Sequence, residues 1–159
     1  MKYLSAFFIF FCFNLTAQVN MFTETDTLKK GLSPSELQTA KNLYILMMQT
    51  DDYKNYKRSM RDMNIKLQGL QLPSYTDPDV GNDLVKIRKI TELWLKENIS
   101  KTQFASVKEG TDTIVEVFAL LKKRIEDHKE VYDLMRKAEK SQVLQIIEPE
   151  RNANRQGKI

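Results

Sequence analysis

From Phe104 to Met135, apolar side chains recur at alternating steps of three and four residues. This spacing is typical of an amphipathic α-helix, and its persistence over about four heptads favours coiled-coil-like packing against another long helix. The pattern therefore predicts one long helix over residues 101–140. Its inward positions are Phe104, Val107, Thr111, Ile114, Phe118, Leu121, Ile125, His128, Tyr132 and Met135.

Two earlier helical regions follow from the same kind of spacing. The first spans residues 34–70, and its apolar stripe slips out of phase after Met47, which predicts a break near residue 50. The second spans about residues 78–98 and follows a linker that contains Pro73, Pro78 and Gly81. Capping-box spacings, Ser33 with Glu36 and Ser100 with Gln103, mark two of the predicted helix starts.

These elements predict an all-α protein with a helical domain over residues 33–148. Residues 18–32 form a loose lead-in segment, and residues 149–159 form a disordered polar tail. The expected architecture is an elongated antiparallel helical hairpin or a three- to four-helix bundle with coiled-coil-like packing. The long apolar seam closes either within one chain or between two copies in a homodimer.

The first residues have the three parts of a secretory signal peptide. Lys2 is positively charged, an apolar run extends from Leu4 to Phe13, and the small residue Ala17 precedes polar sequence. The run is too short to span a membrane, which takes about 20 residues. We therefore expect residues 1–17 to be cleaved and the mature chain to be periplasmic or secreted. The segment resembles the export signals of Bacteroidota proteins.

Charge gives the most specific indication of a binding surface. The whole chain carries a formal charge of +4, and loss of Lys2 would leave +3. Four basic residues share one helix face, and Tyr75 lies in the loop between two prolines. An acidic protein surface, an anionic glycan or a lipid headgroup fits this balance better than nucleic acid does, and an ordinary solvated helix face is the alternative. The candidate partner-binding residues are Lys54, Lys57, Arg58, Arg61 and Tyr75.

The remaining polar residues predict no catalytic, cofactor-binding or metal site. His128 is the only histidine, and its inward position predicts a packed core residue. Glu109, Asp112 and Glu116 share a face and could bind a cation or act as an acid/base pair, but a solvated face is the favoured interpretation. The one cysteine, Cys12, lies within the signal peptide, so the mature chain would have no thiol chemistry. We expect no cofactor and no enzymatic activity.

Long apolar seams without catalytic residues indicate an interaction protein. The principal hypothesis is a non-enzymatic exported module, an adaptor or accessory subunit of a bacterial envelope assembly, with a protein partner in the cell envelope. The alternative is a periplasmic holdase chaperone, because Leu32-Ser-Pro-Ser-Glu and Ile99-Ser-Lys-Thr-Gln resemble helix starts in small chaperones of the Spy type. A third hypothesis, an enzyme or toxin, requires carboxylates from distant helices to converge.

Overall fold

The computed structural model describes residues 31–73 and 83–156. Within these ranges every regular element is helical, which confirms the all-α prediction. Besides a short 3-10 helix at Ile99–Lys101, the elements are α1 (Pro34–Gln49), α2 (Asp51–Leu67), α3 (Leu84–Asn98), α4 (Val107–Asp127), α5 (Lys129–Lys137), α6 (Lys140–Ile146) and α7 (Glu148–Arg155).

The chain divides into two compact units, which lie largely within the helical domain predicted over residues 33–148. The central unit is the continuous segment Thr50–Asp127. The terminal unit combines residues 31–49 with residues 128–156, which precede and follow the central unit in the sequence.

In the central unit, α4 packs against both α2 and α3. Each helix contributes a buried apolar face because its apolar residues recur at helical spacing. The shared core consists of Tyr56, Met63, Leu67, Leu95, Phe104, Ile114 and Val117.

In the terminal unit, α1 packs against α5 and α6, and α6 contacts α7. The predicted capping box at the start of α1 is confirmed. Ser33 N donates to the Glu36 carboxylate at 2.8 Å, and Glu36 N donates to Ser33 Oγ at 3.3 Å. The buried side chains of this unit include Ala40, Tyr44, Met47, Val131, Tyr132, Met135, Val143 and Ile146.

The last residues of the predicted loose lead-in are held in place. Leu32 is buried, its N–H donates to Gln142 Oε1 at 2.8 Å, and its carbonyl accepts from Gln142 Nε2 at 2.8 Å. The same Gln142 side chain accepts from Glu139 N at 3.1 Å and so caps the start of α6. One amide side chain thus joins two segments that are far apart in sequence; residues 18–30 lie outside the described residues.

The break predicted near residue 50 lies between α1 and α2. Thr50 has an extended backbone conformation, and its hydroxyl accepts from Tyr53 N at 3.2 Å, which makes it the N-cap of α2. At the other end, Gln68 and Gly69 both have positive φ, so α2 ends at Leu67 rather than at residue 70. Asp83 caps α3, which begins at Leu84; the predicted helix start at residue 78 lies outside the described residues.

The long helix predicted over residues 101–140 is two separate helices, α4 and α5, and ends where α6 begins at Lys140. Its predicted start at Ser100 is wrong because Ser106 provides the cap: its hydroxyl accepts from Glu109 N at 3.1 Å. The chain then leaves helical geometry at His128, where φ is −118° and ψ is 38°. A second interruption, at Ala138 and Glu139, has extended backbone conformations and separates α5 from α6.

The polar tail predicted to be disordered is helical over Glu148–Arg155. Pro149 lies in the first turn of α7, where proline favours helix initiation instead of ending a helix. Glu150 is buried, and its carboxylate accepts a hydrogen bond from the buried Tyr44 hydroxyl of α1. This tertiary contact explains why a polar sequence is ordered; residues 157–159 lie outside the described residues.

Candidate interaction surface

Helix α2 carries the predicted basic face, and its opposite side anchors the helix in the central unit. Tyr53, Tyr56, Met63 and Leu67 are all buried on this inner side. They recur at steps of three, seven and four residues, which keeps them on one face of an α-helix. The orientation of the basic face toward solvent therefore follows from core packing.

A buried cation from α4 lies against the inner side of α2. The guanidinium carbon of Arg124 is 4.1 Å from the ring centroid of Tyr56 and 5.5 Å from that of Tyr53. Both distances are within the range of cation–π attraction, which strengthens when the groups are removed from water. This contact helps fix the rotation of α2 about its own axis and hence the direction of its outer face.

The outer face of α2 is formed by Lys54, Arg58, Arg61 and Ile65. These residues follow one another at steps of four, three and four, so their side chains form one row along the helix. All four are exposed, and the Ile65 side chain is 59% exposed despite being a large apolar group. The row therefore combines three cations with one uncovered apolar side chain.

The two arginines of this row have no carboxylate within ion-pair distance among the described residues. Lys54 has a loose contact, with its Nζ 3.7 Å from the Asp51 carboxylate. Some basic residues elsewhere in the central unit are paired closely, such as Lys66 with Glu109 at 2.5 Å and Arg88 with Asp112 at 2.6 Å. The outer face of α2 thus presents charge that the surrounding described residues do not neutralise.

Three of the five candidate partner-binding residues lie together on the exposed row. They are Lys54, Arg58 and Arg61, whereas Lys57 lies at the side of the row, is half-buried and takes part in an interaction. Tyr75 lies outside the described residues. The sequence prediction missed Ile65, although its position out of phase with the buried stripe was a usable signal.

Two of the three carboxylates considered for acid/base chemistry, Glu109 and Asp112, form ion pairs. Glu109 on α4 accepts hydrogen bonds from Lys66 of α2 at 2.5 Å and from Ala105 N at 2.6 Å, and these bonds lower its pKa. Hydrogen bonds from Lys108 and Arg88, each at 2.6 Å, lower the pKa of Asp112. These contacts link α4 to α2 and α3, and lowered pKa values do not suit a general acid near neutrality.

His128 is not the packed core residue that the heptad spacing predicted. It is half-buried and occupies the junction that precedes α5, because the helix breaks there. Among the described residues, no group of three or more histidine, cysteine or acidic side chains could hold a metal ion.

A groove of about 600 Å³ lies between α1 and α5 in the terminal unit. Its lining mixes both signs of charge, including Glu36, Asp133, Lys129 and Lys137. Lys129 donates to Asp133, and the Ser33 hydroxyl donates to Glu36 at 2.7 Å, so local partners satisfy these carboxylates and lower the pKa of both. The groove has no concentrated charge that would select a ligand.

Within residues 31–73 and 83–156, the helices are too short or too polar to cross a lipid bilayer. Comparison of the chain with protein-family models, curated proteins and solved structures finds no match.

Proposed function

We propose that the chain is a non-enzymatic exported interaction module, an adaptor or accessory subunit of a bacterial envelope assembly. The observation that carries this proposal is the outer face of α2, where Arg58 and Arg61 stand beside the exposed Ile65. Arginine is enriched in protein interfaces, where its planar guanidinium binds carboxylates at two points. An uncovered apolar side chain next to such cations supports contact with a protein partner.

The proposed location is the periplasm or the exterior of the cell. Its support is the three-part export pattern of residues 1–17, which lie outside the described residues. The proposed architecture of the central unit is a three-helix bundle with coiled-coil-like packing. The shared core of α2, α3 and α4 supports that arrangement.

The test is cross-linked capture of the tagged full-length chain from its native envelope, with bound proteins identified and quantified by mass spectrometry. We expect one dominant partner at a fixed stoichiometry for the parent chain. The double variant Arg58→Glu/Arg61→Glu should lose this partner. The matched control Lys89→Glu/Lys101→Glu makes the same charge change at exposed positions outside α2 and should retain it. A broad set of captured proteins, unchanged in the α2 variant, would contradict the proposal.

The second candidate function is a holdase chaperone of Spy-like type. It is favoured by α3, on which Val85 is 76% exposed and Leu93 is 57% exposed. These residues are eight positions apart and lie on one side of the helix, and exposed apolar groups of this kind can contact unfolded chains.

Aggregation assays separate the two functions. A holdase should suppress aggregation of several unrelated denatured proteins, and Val85→Ser/Leu93→Ser should abolish the effect while Arg58→Glu/Arg61→Glu preserves it. Failure of the parent chain to protect any of these clients would exclude the chaperone function.

A further inference from the structure

We infer that the outer face of α2 binds an amphipathic helix that carries a row of acidic side chains; this inference rests on the proposed interaction function and specifies its partner. Three features carry it: the straight row of cations, the absence of close carboxylates for the two arginines among the described residues, and the position of Ile65 at one end.

The geometry of the row fits a second helix. Lys54 and Ile65 are eleven residue steps apart, which is about 16 Å at the rise of an α-helix. Side chains at steps of three and four form a ridge along the axis, and such ridges pack against another helix at a small crossing angle. A partner helix of about three turns would therefore meet all four side chains at once.

The charge of the row specifies the chemistry of the partner. Carboxylates within the central unit already bind Lys66, Arg88 and Lys123. Arg58 and Arg61 lack such a partner among the described residues, which leaves both guanidinium groups available to acids on another molecule. Acidic residues three or four apart on the partner would face both guanidinium groups, each of which can donate two hydrogen bonds to a carboxylate.

The position of Ile65 makes the two ends of the row different, so the interface has a direction along the helix axis. The cations occupy the part of the row toward the N-terminal end of α2, and the apolar side chain occupies the end toward Leu67. A partner must therefore place its apolar residue beyond one end of its acidic row, which fixes its direction. A second copy of this face would bring like charges together whether the two helices run parallel or antiparallel, so charge disfavours self-association here.

The probe is a synthetic helical peptide of about 20 residues, long enough to form a helix in water. It carries three Glu at steps of four and three, followed by Leu four residues later. One control peptide has the same composition with the Glu side chains distributed around the helix, and a second has Lys in place of Glu. Binding to the full chain is measured by fluorescence anisotropy and by amide chemical-shift changes.

We expect the acidic-row peptide to bind, to shift the amides of α2, and to weaken as salt increases. Arg58→Glu/Arg61→Glu should reduce its affinity by about tenfold or more and should gain affinity for the Lys peptide. Lys89→Glu/Lys101→Glu should remain within about twofold of the parent chain. Circular dichroism and the amide spectrum of each variant establish that it is folded.

Three results would overturn the inference: equal binding of the scrambled peptide, equal binding to the charge-reversed variant, or binding of phosphatidylglycerol vesicles with no binding of the acidic-row peptide. The last result would assign the face to an anionic membrane instead. If the peptide fails while envelope capture still yields one partner that Arg58→Glu/Arg61→Glu loses, the helical partner is wrong and the interaction function stands. If the peptide binds while capture yields no fixed partner, the inference stands and the adaptor function fails.

Discussion

The guanidinium of Arg124 lies against the ring of Tyr56, with its central carbon 4.1 Å from the ring centroid. Both side chains are buried, so a charged group lies within the packed contact between α4 and α2. Attraction to the ring offsets part of the free-energy cost of removing the charge from water. The long aliphatic stem of the arginine also fills space in the core.

Arg124→Ala should lower the free energy of unfolding by about 2–4 kcal/mol, since it removes the cation–π contact and leaves a cavity. Arg124→Met keeps most of the stem volume and should cost less, because a buried charge replaced by an apolar group of similar size is often tolerated. Urea denaturation of both variants measures the difference. Equal losses for the two variants would show that the charge, rather than the packing of the stem, provides the stability.

Gly110→Ala tests the close approach of α4 to its neighbours. A Cβ at this position would lie 2.8 Å from Leu95 Cδ1 and 3.0 Å from Phe104 Cδ2, and both side chains are buried. Alanine gains about 1 kcal/mol over glycine in a helix, whereas overpacking a core costs about 1–3 kcal/mol. We expect a net loss of about 1 kcal/mol in thermal and urea denaturation.

The destabilisation by Gly110→Ala should disappear when a smaller residue replaces Leu95. In a Leu95→Ala background, Gly110→Ala should become neutral or stabilising, because the nearest clashing atom is gone and helix propensity remains. A destabilising effect of the same size in both backgrounds would show that contact with Leu95 is not its cause.

Acid should weaken the central unit through Glu109 and Asp112. Hydrogen bonds and ion pairs lower the pKa of both groups in the folded chain, from ordinary values of 4.5 and 3.8. A lowered pKa stabilises the fold above the ordinary value, and that contribution is lost as the pH falls through the folded-state pKa. Unfolding free energy should therefore decrease below about pH 4.5.

The double variant Glu109→Gln/Asp112→Asn should show a shallower decrease in unfolding free energy over this range, measured by urea denaturation at several pH values. Glu116→Gln is the control, because this carboxylate lies on the same helix with an exposed side chain. An unchanged acid slope in the double variant would show that other groups cause the pH dependence.

Gln142→Leu should detach Leu32 from the start of α6. The variant loses both hydrogen bonds to the Leu32 backbone and one bond to Glu139 N, so we expect a loss of about 1–2 kcal/mol. Hydrogen exchange at the Leu32 amide should become about tenfold faster or more. The control is Gln145→Leu, on the same helix as Gln142. It removes only an exposed hydrogen bond that Lys41 of α1 donates, and it should leave the exchange rate of the Leu32 amide unchanged.

Local signals in the sequence were sufficient for several parts of the fold. The start of α1 was predicted from Ser33 and Glu36, and the break at Thr50 from a phase slip, because neighbouring residues determine both features. The start of α4 was not predicted. Ser100 and Ser106 both precede a capping partner, and a tertiary bond from Gln103 N to Lys66 O at 2.7 Å holds the intervening chain outside the helix.

Contacts between residues far apart in sequence also explain other differences between the predicted and the observed helices. The order of α7 depends on Tyr44, which lies more than 100 residues before Glu150. The apolar spacing continues across His128 because α5 has its own buried face, so the sequence contained no sign of the break. The predicted basic face of α2 does lie toward solvent, since a single helix determines which of its residues share a side.

The division of the chain into a continuous central unit and a discontinuous terminal unit sets an order for folding during synthesis. The ribosome completes Thr50–Asp127 before it makes α5, α6 and α7. All the helices that pack together in the central unit are therefore present before the terminal unit is complete. Helix α1 is made before the central unit, yet α5 and α6, which pack against its buried residues Ala40, Tyr44 and Met47, emerge only after that unit. Truncation near the C-terminus should therefore leave the buried face of α1 without its packing partners, although the central unit, which is synthesised after α1, still folds.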